Sequence, residues 1–228
     1  MTRLVALIGS PVSRSLSPRM QNAAFAARGL DWTYVPCEVE AQRVQEAVRG
    51  LEALGFAGAN VTAPYKVEVA RLVAGELPSV NTLLFDPLRG FSTDAALLEG
   101  LEFEHPAIIG DGGAAAAFRA ALPAAQVFSR RGVWPPAVGD ADLVVNATPV
   151  RDEVLVRLGP GQTLVDLPYP ESATAAAARQ AGVRVFDGLE VLVAQGAASF
   201  ELWTGVPAPV EVMRRAVGLP RAATDDSR

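Results

Sequence analysis

The chain has 228 residues, half of them hydrophobic and a fifth charged, with 25 acidic side chains against 20 basic ones. That length buries a sizeable core and is compatible with one domain or two smaller ones. A formal charge of −5 without a basic run argues against nucleic acid as a partner, a single Cys37 excludes an internal disulfide, and a single His105, set before Pro106 in an expected linker, leaves no Cys/His metal cluster and no histidine for Ser-His-Asp hydrolysis.

No stretch approaches about 18 uninterrupted apolar residues, and Met1 leads straight into a β-like run without a basic n-region. Neither a membrane span nor a signal peptide is expected, and the protein reads as soluble and cytoplasmic. Small-molecule chemistry is the default.

Taken in chain order, RLVALIG (3–9) reads as a strand and SPRMQNAAFAARG (17–29) as a helix capped by Ser17, with Pro18 in its first turn and Gly29 past its end. WTYVPCEV (32–39) suggests a strand, AQRVQEAVRGLEALG (41–55) an amphipathic helix with Val44, Val48, Leu51 and Leu54 at helical spacing, and GANVT (58–62) another strand. After FSTDAALLEGL and the loop EFEHP a fresh series begins: AIIG, helix GAAAAFRAAL, then strands QVFS, DLVVNATP and TLVDL, helix ESATAAAARQAG and strand VRVFDG. A helix over 190–205 and the segment PVEVMRRAVG (209–218) close the fold.

Strands alternating with helices predict an α/β protein built of βαβ units around mostly parallel sheets. Residues 1–99 read as one domain, completed by helices from 189–218; residues 100–188 read as a second; 219–228 reads as a frayed tail. The alanine enrichment lies at helical positions and reflects helix propensity, and no internal repeat is present.

IIGDGGAAAAF (108–118) runs from a strand through Gly110-x-Gly112-x-x-Ala115 into a helix. Such a turn lets backbone approach a pyrophosphate, which the helix N-terminus stabilises with its free N–H groups. About 20 residues on, where an NAD site usually carries an acid for the ribose 2′-hydroxyl, stands FSRR; Arg130 and Arg131 suit a 2′-phosphate and point to NADP(H). Asp111 places a carboxylate in the phosphate loop, and the stretch containing WPPAVG, after Arg131, is too short for a crossover helix of roughly 11 residues. The second domain is therefore expected to be an abridged Rossmann-like unit.

Three polar clusters, SRSLSP (13–18), NVTAPYK (60–66) and SVNTLL with FSTDA (79–84, 91–95), fall at strand ends or helix starts and could face one cleft. The plainer reading makes Ser15 and Ser17 caps, Asn60 and Asn81 turn formers, and Asp94 an N-cap acid. Lys66 is the only lysine in the chain. Drift toward arginine codons explains a lone lysine; so does a need for a cation that can give up its proton, which a guanidinium does not.

SRSLSP, NVTAPYK, VNTL, STD, GDGGA, NATP, DLPY and GLEVLVAQGAASFELWTG occur in the order found in shikimate dehydrogenases, and from Gly9 to Gly205 the chain resembles that family. The resemblance implies a two-domain NADP-dependent oxidoreductase of chorismate and aromatic amino acid biosynthesis, monomeric or homodimeric, interconverting 3-dehydroshikimate and shikimate. By the same resemblance Lys66 and Asp94 form the catalytic pair. Ser15 and Ser17, with Tyr169, take the substrate carboxylate; Asn60, Thr62, Asn81, Asp94 and Gln195 hold ring hydroxyls. Gly110, Gly112, Gly113, Ala114, Ser129, Arg130, Arg131 and Gly188 form the NADP site, with Asn146 and Thr148 lining its strand end.

The chain departs from the family pattern at Ser92, usually asparagine, at Asp111, usually alanine or serine, and at SRR in place of NRT. It also lacks the IGAV lead-in to Asn81, having LPSV there, and is shorter than typical members. Two other readings stand beside the first: a weakly catalytic shikimate-binding relative with a decayed dinucleotide half, and an NAD-using quinate/shikimate dehydrogenase.

Overall fold

The computed structural model of the chain describes residues 1–73 and 75–221; of the tail expected over 219–228, residues 222–228 lie outside the described residues. β1 (Arg3–Gly9) is the axis of a first sheet. Its alternation decides what packs on each face: Val5 and Leu7 point to one apolar cluster, Ala6 and Ile8 to another.

α1 (Ser17–Ala27) has Pro18 in its first turn and is followed by Gly29 at φ +65°. Ser17, expected from sequence to be its cap, is not the cap: it is the first helical residue and Leu16 holds the cap position. Instead its N–H donates to Ser15 Oγ at 3.2 Å, so Ser15 closes the first turn.

β2 (Trp32–Glu38) follows, then a 3-10 turn at Ala41–Arg43 and α2 (Val44–Ala53), shorter at both ends than the helix expected over 41–55. Val44, Val48 and Leu51 are buried as their spacing predicts, but Leu54 is 76% exposed. α2 ends one residue before it, and Gly55 at φ +75° turns the chain away from the core.

β3 (Gly58–Val61), α3 (Lys66–Ala70), the hairpin β4 (Thr82–Leu84) and β5 (Arg89–Phe91), and a 3-10 turn at Ala96–Leu98 complete this half. The strand order is β2-β1-β3-β4-β5, and among these five only β4 runs against the others.

The second sheet is parallel throughout, with order β10-β9-β8-β6-β7. It contains β6 (Pro106–Ile109), β7 (Gln126–Phe128), β8 (Leu143–Asn146), β9 (Thr163–Asp166) and β10 (Arg184–Phe186), with α4 (Gly113–Ala121) and α5 (Ala173–Gln180) on opposite faces. After β7 the chain crosses back past β6 to start β8, so the carboxyl ends of β6 and β8 flank a topological switch point, where ligands of such sheets bind.

As the short WPPAVG stretch predicts, among the described residues no helix lies between Phe128 and Leu143; none lies between Asn146 and Thr163 either, which the sequence did not suggest. The sheet face is covered by loop side chains instead: Val138, Val156 and Leu158 are buried beside Val144 and Leu164. Gln162 ties these loops together, its Nε2 donating to the carbonyls of Val138 (2.8 Å) and Ala141 (2.6 Å) while its Oε1 accepts from the N–H of Gly159 (2.9 Å).

α6 (Gly188–Thr204) and α7 (Val210–Val217) close the molecule. α6 starts two residues before the expected position because Asp187 caps it: Oδ1 accepts from the N–H groups of Leu189 (3.0 Å) and Glu190 (3.1 Å), and Glu190 accepts in return from the Asp187 N–H (3.1 Å). Val191 packs into the second sheet's core, whereas Leu192, Val193, Phe200 and Trp203 pack into the first. One helix therefore holds both sheets in place around the gap between them.

Trp203 is anchored to the first sheet by an Nε1–H bond to the Leu83 carbonyl at 2.9 Å, directly over Gly58. A Cβ at Gly58 would stand 2.4 Å from both the Leu83 oxygen and Trp203 Nε1. Gly58→Ala is expected to lower unfolding free energy by about 1–3 kcal/mol and to shift Trp203 fluorescence, measured by urea denaturation. Parental stability would show that Trp203 is not seated there.

Candidate active site

A cleft of about 540 Å³ opens between the carboxyl edges of the two sheets. Its walls come from the ends of β3, β6, β8 and β9, from α3, from the N-terminus of α4 and from α6.

On the first-sheet side, Tyr65 and Lys66 diverge at the start of α3. The Tyr65 ring is buried, with its hydroxyl donating to the Val39 carbonyl at 2.6 Å, while Lys66 reaches the cleft. Lys66 Nζ lies 2.7 Å from both carboxylate oxygens of Asp94, with side chains only 15% and 9% exposed. Asp94 does not cap the following 3-10 turn, which has no side-chain cap, so the plainer reading of this acid fails.

Asn81 holds that carboxylate from behind: its Nδ2 donates to Asp94 Oδ1 at 3.0 Å and to Thr93 Oγ1 at 2.9 Å, and its Oδ1 accepts from the Thr93 N–H at 2.7 Å. Gln195 Oε1 lies 3.3 Å from the same Asn81 nitrogen, which brings α6 into the constellation.

Asn60, deeper still, donates through Nδ2 to the Asn81 carbonyl, Thr82 Oγ1 and Ser199 Oγ, each at 3.0 Å. Its Oδ1 accepts from the Tyr34 hydroxyl at 2.9 Å. Burial pushes the Tyr34 phenol up, so it stays a donor and fixes which end of the Asn60 amide faces α6. Asn60 and Asn81 are thus buried hydrogen-bond hubs and not turn formers.

Ser15, Ser17, Thr62 and Tyr169 line the cleft above this floor. Burial pushes the Tyr169 phenol up, opposed by the neighbouring Ser15 hydroxyl, which leaves a neutral donor beside two serines. That is a suitable pocket for a carboxylate.

The opposite wall is the start of α4. Gly110, at φ +131°, makes the turn, and Gly112, Gly113 and Ala114 face the cleft. A Cβ on Gly113 would come within 2.9 Å of Lys66 Cβ, so the nine-residue helix presents its free N–H groups next to the Lys66–Asp94 pair. Gly188 is forced by close approach as well: a Cβ there would stand 2.4 Å from the Leu167 carbonyl oxygen.

Asn146 corrects an expectation. It does not line the cleft; it is fully buried at the end of β8 because its Nδ2 donates to Asp166 Oδ1 at 2.7 Å. Its Oδ1 accepts from the N–H (3.2 Å) and hydroxyl (2.8 Å) of Thr148, and it is Thr148 that faces the cleft. Burial pushes the Asp166 carboxyl up, against the lowering effect of its bonds from Asn146 and Ser172.

A side cavity of about 190 Å³ continues past Thr148 and Gly110 to Ser129, Arg130, Arg131 and Trp134. Asp111 belongs to this cavity and not to the main cleft: its carboxylate lies 3.9 Å from Arg131 Nη1, so the acid in the turn before α4 is directed toward a cation. The Arg130 guanidinium lies 5.4 Å from the Trp134 ring centroid and pairs with Glu153.

Sequence reasoning missed Arg151, which lines the cleft, and the floor residues Tyr34, Thr82, Thr93 and Ser199. Ser199 had a usable signal, standing four residues after Gln195 and so on the same face of α6. Among the described residues, no group of His, Cys, Asp and Glu side chains could hold a metal ion, and no helix is long and apolar enough to cross a membrane.

Residues 7–83 match the model of the shikimate dehydrogenase substrate binding domain, and residues 188–217 that of the shikimate 5′-dehydrogenase C-terminal domain. The chain is 39% identical to a shikimate dehydrogenase (NADP(+)) of Anaeromyxobacter sp. (strain Fw109-5), over 98% of each chain. It is 36% identical to the Methanocella arvoryzae enzyme of the same name, over 94% of this chain and 98% of the relative. The Anaeromyxobacter alignment runs over 274 positions against 228 residues here, so the relative holds stretches without counterpart in this chain.

Among solved structures, shikimate dehydrogenase from Aquifex aeolicus superposes with a TM-score of 0.86 at 30% identity, covering 95% of this chain and 98% of that one. The Thermus thermophilus enzyme, solved in complex with NADP(H) and shikimate, gives 0.83 at 27% identity, covering 94% and 98%. With these similarities over nearly its full length, the chain belongs to the shikimate dehydrogenase family.

Proposed function

We propose that the chain catalyses the reversible reduction of 3-dehydroshikimate to shikimate with NADP(H), in the cytoplasm, on the route through chorismate to the aromatic amino acids. The observation that carries the mechanism is the placement of the only lysine of the chain against both oxygens of Asp94 at 2.7 Å, on the floor of a cleft whose facing wall is a helix N-terminus.

The residues present fit a dinucleotide. Gly110, Gly112, Gly113 and Ala114 leave the α4 N-terminus open to a pyrophosphate, with Thr148 and Gly188 toward the nicotinamide end and Asn146 behind Thr148. Ser129, Arg130 and Arg131 stand in the side cavity, where the adenosine 2′-phosphate would reach them. When bound, NADP(H) supplies or accepts the hydride. In this reading residues 100–188 are the cofactor half, and 1–99 with 189–218 the substrate half.

Ser15, Ser17 and Tyr169 take the substrate carboxylate, and Asn60, Thr62, Asn81 and Gln195 orient its ring hydroxyls. Lys66 then donates a proton from Nζ to the ketone oxygen as charge develops there, and takes it back in the oxidative direction. Asp94 orients the ammonium through its two oxygens, and Asn81 stops the carboxylate from rotating away. An arginine at this position would stabilise charge but not pass the proton.

Shikimate-dependent reduction of NADP⁺ by the purified chain tests this function directly. Lys66→Arg and Lys66→Met are expected to fold, judged by circular dichroism, and to keep the shikimate KM near the parental value while kcat falls by about 10² or more. Near-parental turnover in either variant would remove Lys66 from the chemistry. Arg130→Ala is expected to weaken NADPH binding, followed by nicotinamide fluorescence, more than NADH binding. Equal losses would show that Arg130 does not meet the 2′-phosphate.

A further inference from the structure

The loop that leaves β1 carries Ser15 and leads to Ser17, and it is gripped by a residue outside the cleft. At the last rung of the β1–β2 pairing, Gly9 stands beside Glu38, which lines a groove next to α2 instead of the cleft. The Glu38 carboxylate spans the turn that follows Gly9: Oε1 accepts from the Ser10 hydroxyl at 2.8 Å and Oε2 from the Val12 N–H at 3.0 Å. These two donors, the Val12 N–H above all, hold its carboxyl below the usual carboxylate range, so both oxygens accept at neutral pH.

From Val12 the hydrogen bonds run on to the cleft. The Val12 carbonyl accepts from the Ser15 N–H at 3.0 Å, and Ser15 Oγ accepts from the Ser17 N–H at 3.2 Å. With its oxygen engaged in this way, the Ser15 hydroxyl has its own proton to offer an anion. The Val12 side chain is buried in the first sheet's core, and Glu38 fixes the backbone N–H of the same residue. The positions of Ser15 and Ser17 therefore follow from where the Val12 backbone is held.

We infer that Glu38 is a positioning residue for carboxylate recognition: from outside the cleft it holds the loop over 10–17 in the place where Ser15 and Ser17 meet the substrate carboxylate. The inference rests on the reading of Ser15, Ser17 and Tyr169 as the carboxylate pocket of a shikimate-oxidising enzyme.

A grip and a mere neighbouring charge have opposite consequences. As a charge, Glu38 repels an anionic substrate, and its removal would tighten binding. As a grip, its removal releases the Val12 N–H and lets the loop take other positions, so that binding of a carboxylate weakens. The Lys66–Asp94 pair is held by Asn81 and not by this loop, so the chemical step is spared. Glu38 is exposed and belongs to neither core cluster of the first sheet, so substitution there leaves the fold in place.

The test measures kcat and KM for shikimate oxidation with NADP⁺, and calorimetric dissociation constants for shikimate and its methyl ester, on the full chain and on Glu38→Ala and Glu38→Gln, with folding checked by circular dichroism. In Glu38→Ala the shikimate KM and dissociation constant are expected to rise about fivefold while kcat changes by less than about twofold and ester binding stays near the parental value. Glu38→Gln, whose amide oxygen still accepts from the Val12 N–H, should lie close to the parent. Shikimate binding that is unmoved or tighter in Glu38→Ala overturns the inference, and so does equal weakening of acid and ester, or a loss in Glu38→Gln as large as in Glu38→Ala. A parent that fails to oxidise shikimate would refute the assigned reaction instead. The titrations would then decide the role of Glu38: a loss confined to shikimate in Glu38→Ala supports it, and equal, absent or reversed shifts, or a parent that binds neither ligand, overturn it.

Discussion

The Asn81 side chain is the constraint on which the cleft depends. It is buried between two strands of a hairpin and the middle of α6, and its amide must be satisfied without water. It does so by donating to Asp94 and Thr93 and accepting from the Thr93 backbone, which leaves the Asp94 carboxylate one rotation, the one that meets Lys66. Asn60 repeats the logic one layer deeper, joining β3, β4 and α6 through Thr82 and Ser199, with Tyr34 closing the set from β2. Breaking any member strands a buried donor or acceptor elsewhere, so the floor behaves as one unit. The proton transfer proposed for Lys66 and Asp94 needs such a floor, because its geometry has to be in place before substrate arrives.

The same network explains what could and could not be read from the residues in order. Most strands and helices were legible because periodicity and glycine punctuation are local: β1 matches RLVALIG residue for residue, and Gly29 and Gly55 stop helices where expected, whereas α3, β4 and β5 are too short to carry a period and were not read. The motif clusters were legible as well, since NVTAPYK, STD and the phosphate loop each sit at the end of a strand. Tyr34, Thr82, Thr93 and Ser199 were not, because what makes them matter is contact across up to 139 positions of sequence, between Asn60 and Ser199. Asn146 failed differently: its place at a strand end suggested a lining residue, but the alternation of β8 turns it inward to Asp166, and only Thr148 two positions on emerges.

The two walls of the cleft are built on opposite economies of structure. The floor on the first-sheet side is a buried hydrogen-bond lattice in which Asn60, Asn81, Thr82, Thr93 and Ser199 partner one another. The end proposed for adenosine relies on exposed charge, with Arg130, Arg131 and Glu153 on loops that stand where crossover helices would otherwise run and Asp111 in the turn before α4. Loss of those helices did not open the sheet, because Val138, Val156 and Leu158 cover it and Gln162 ties their loops. It did move the charged residues onto segments whose pairing is screened by solvent and salt. Binding at this end is therefore tunable by single surface substitutions in a way that the floor around Asn60 and Asn81 is not.

α6 reconciles the two. Its capped N-terminus is pressed against the carbonyls of Leu167 and Pro168, close enough that only glycine fits at 188, while its middle contributes Gln195 and Ser199 to the floor and Trp203 to the first sheet's core. The lone lysine stands at the point where these walls come closest, its Cβ against Gly113 and its Nζ on Asp94. A guanidinium there could hold charge beside Asp94 but could not surrender its proton, so it is the proposed chemistry that selects lysine.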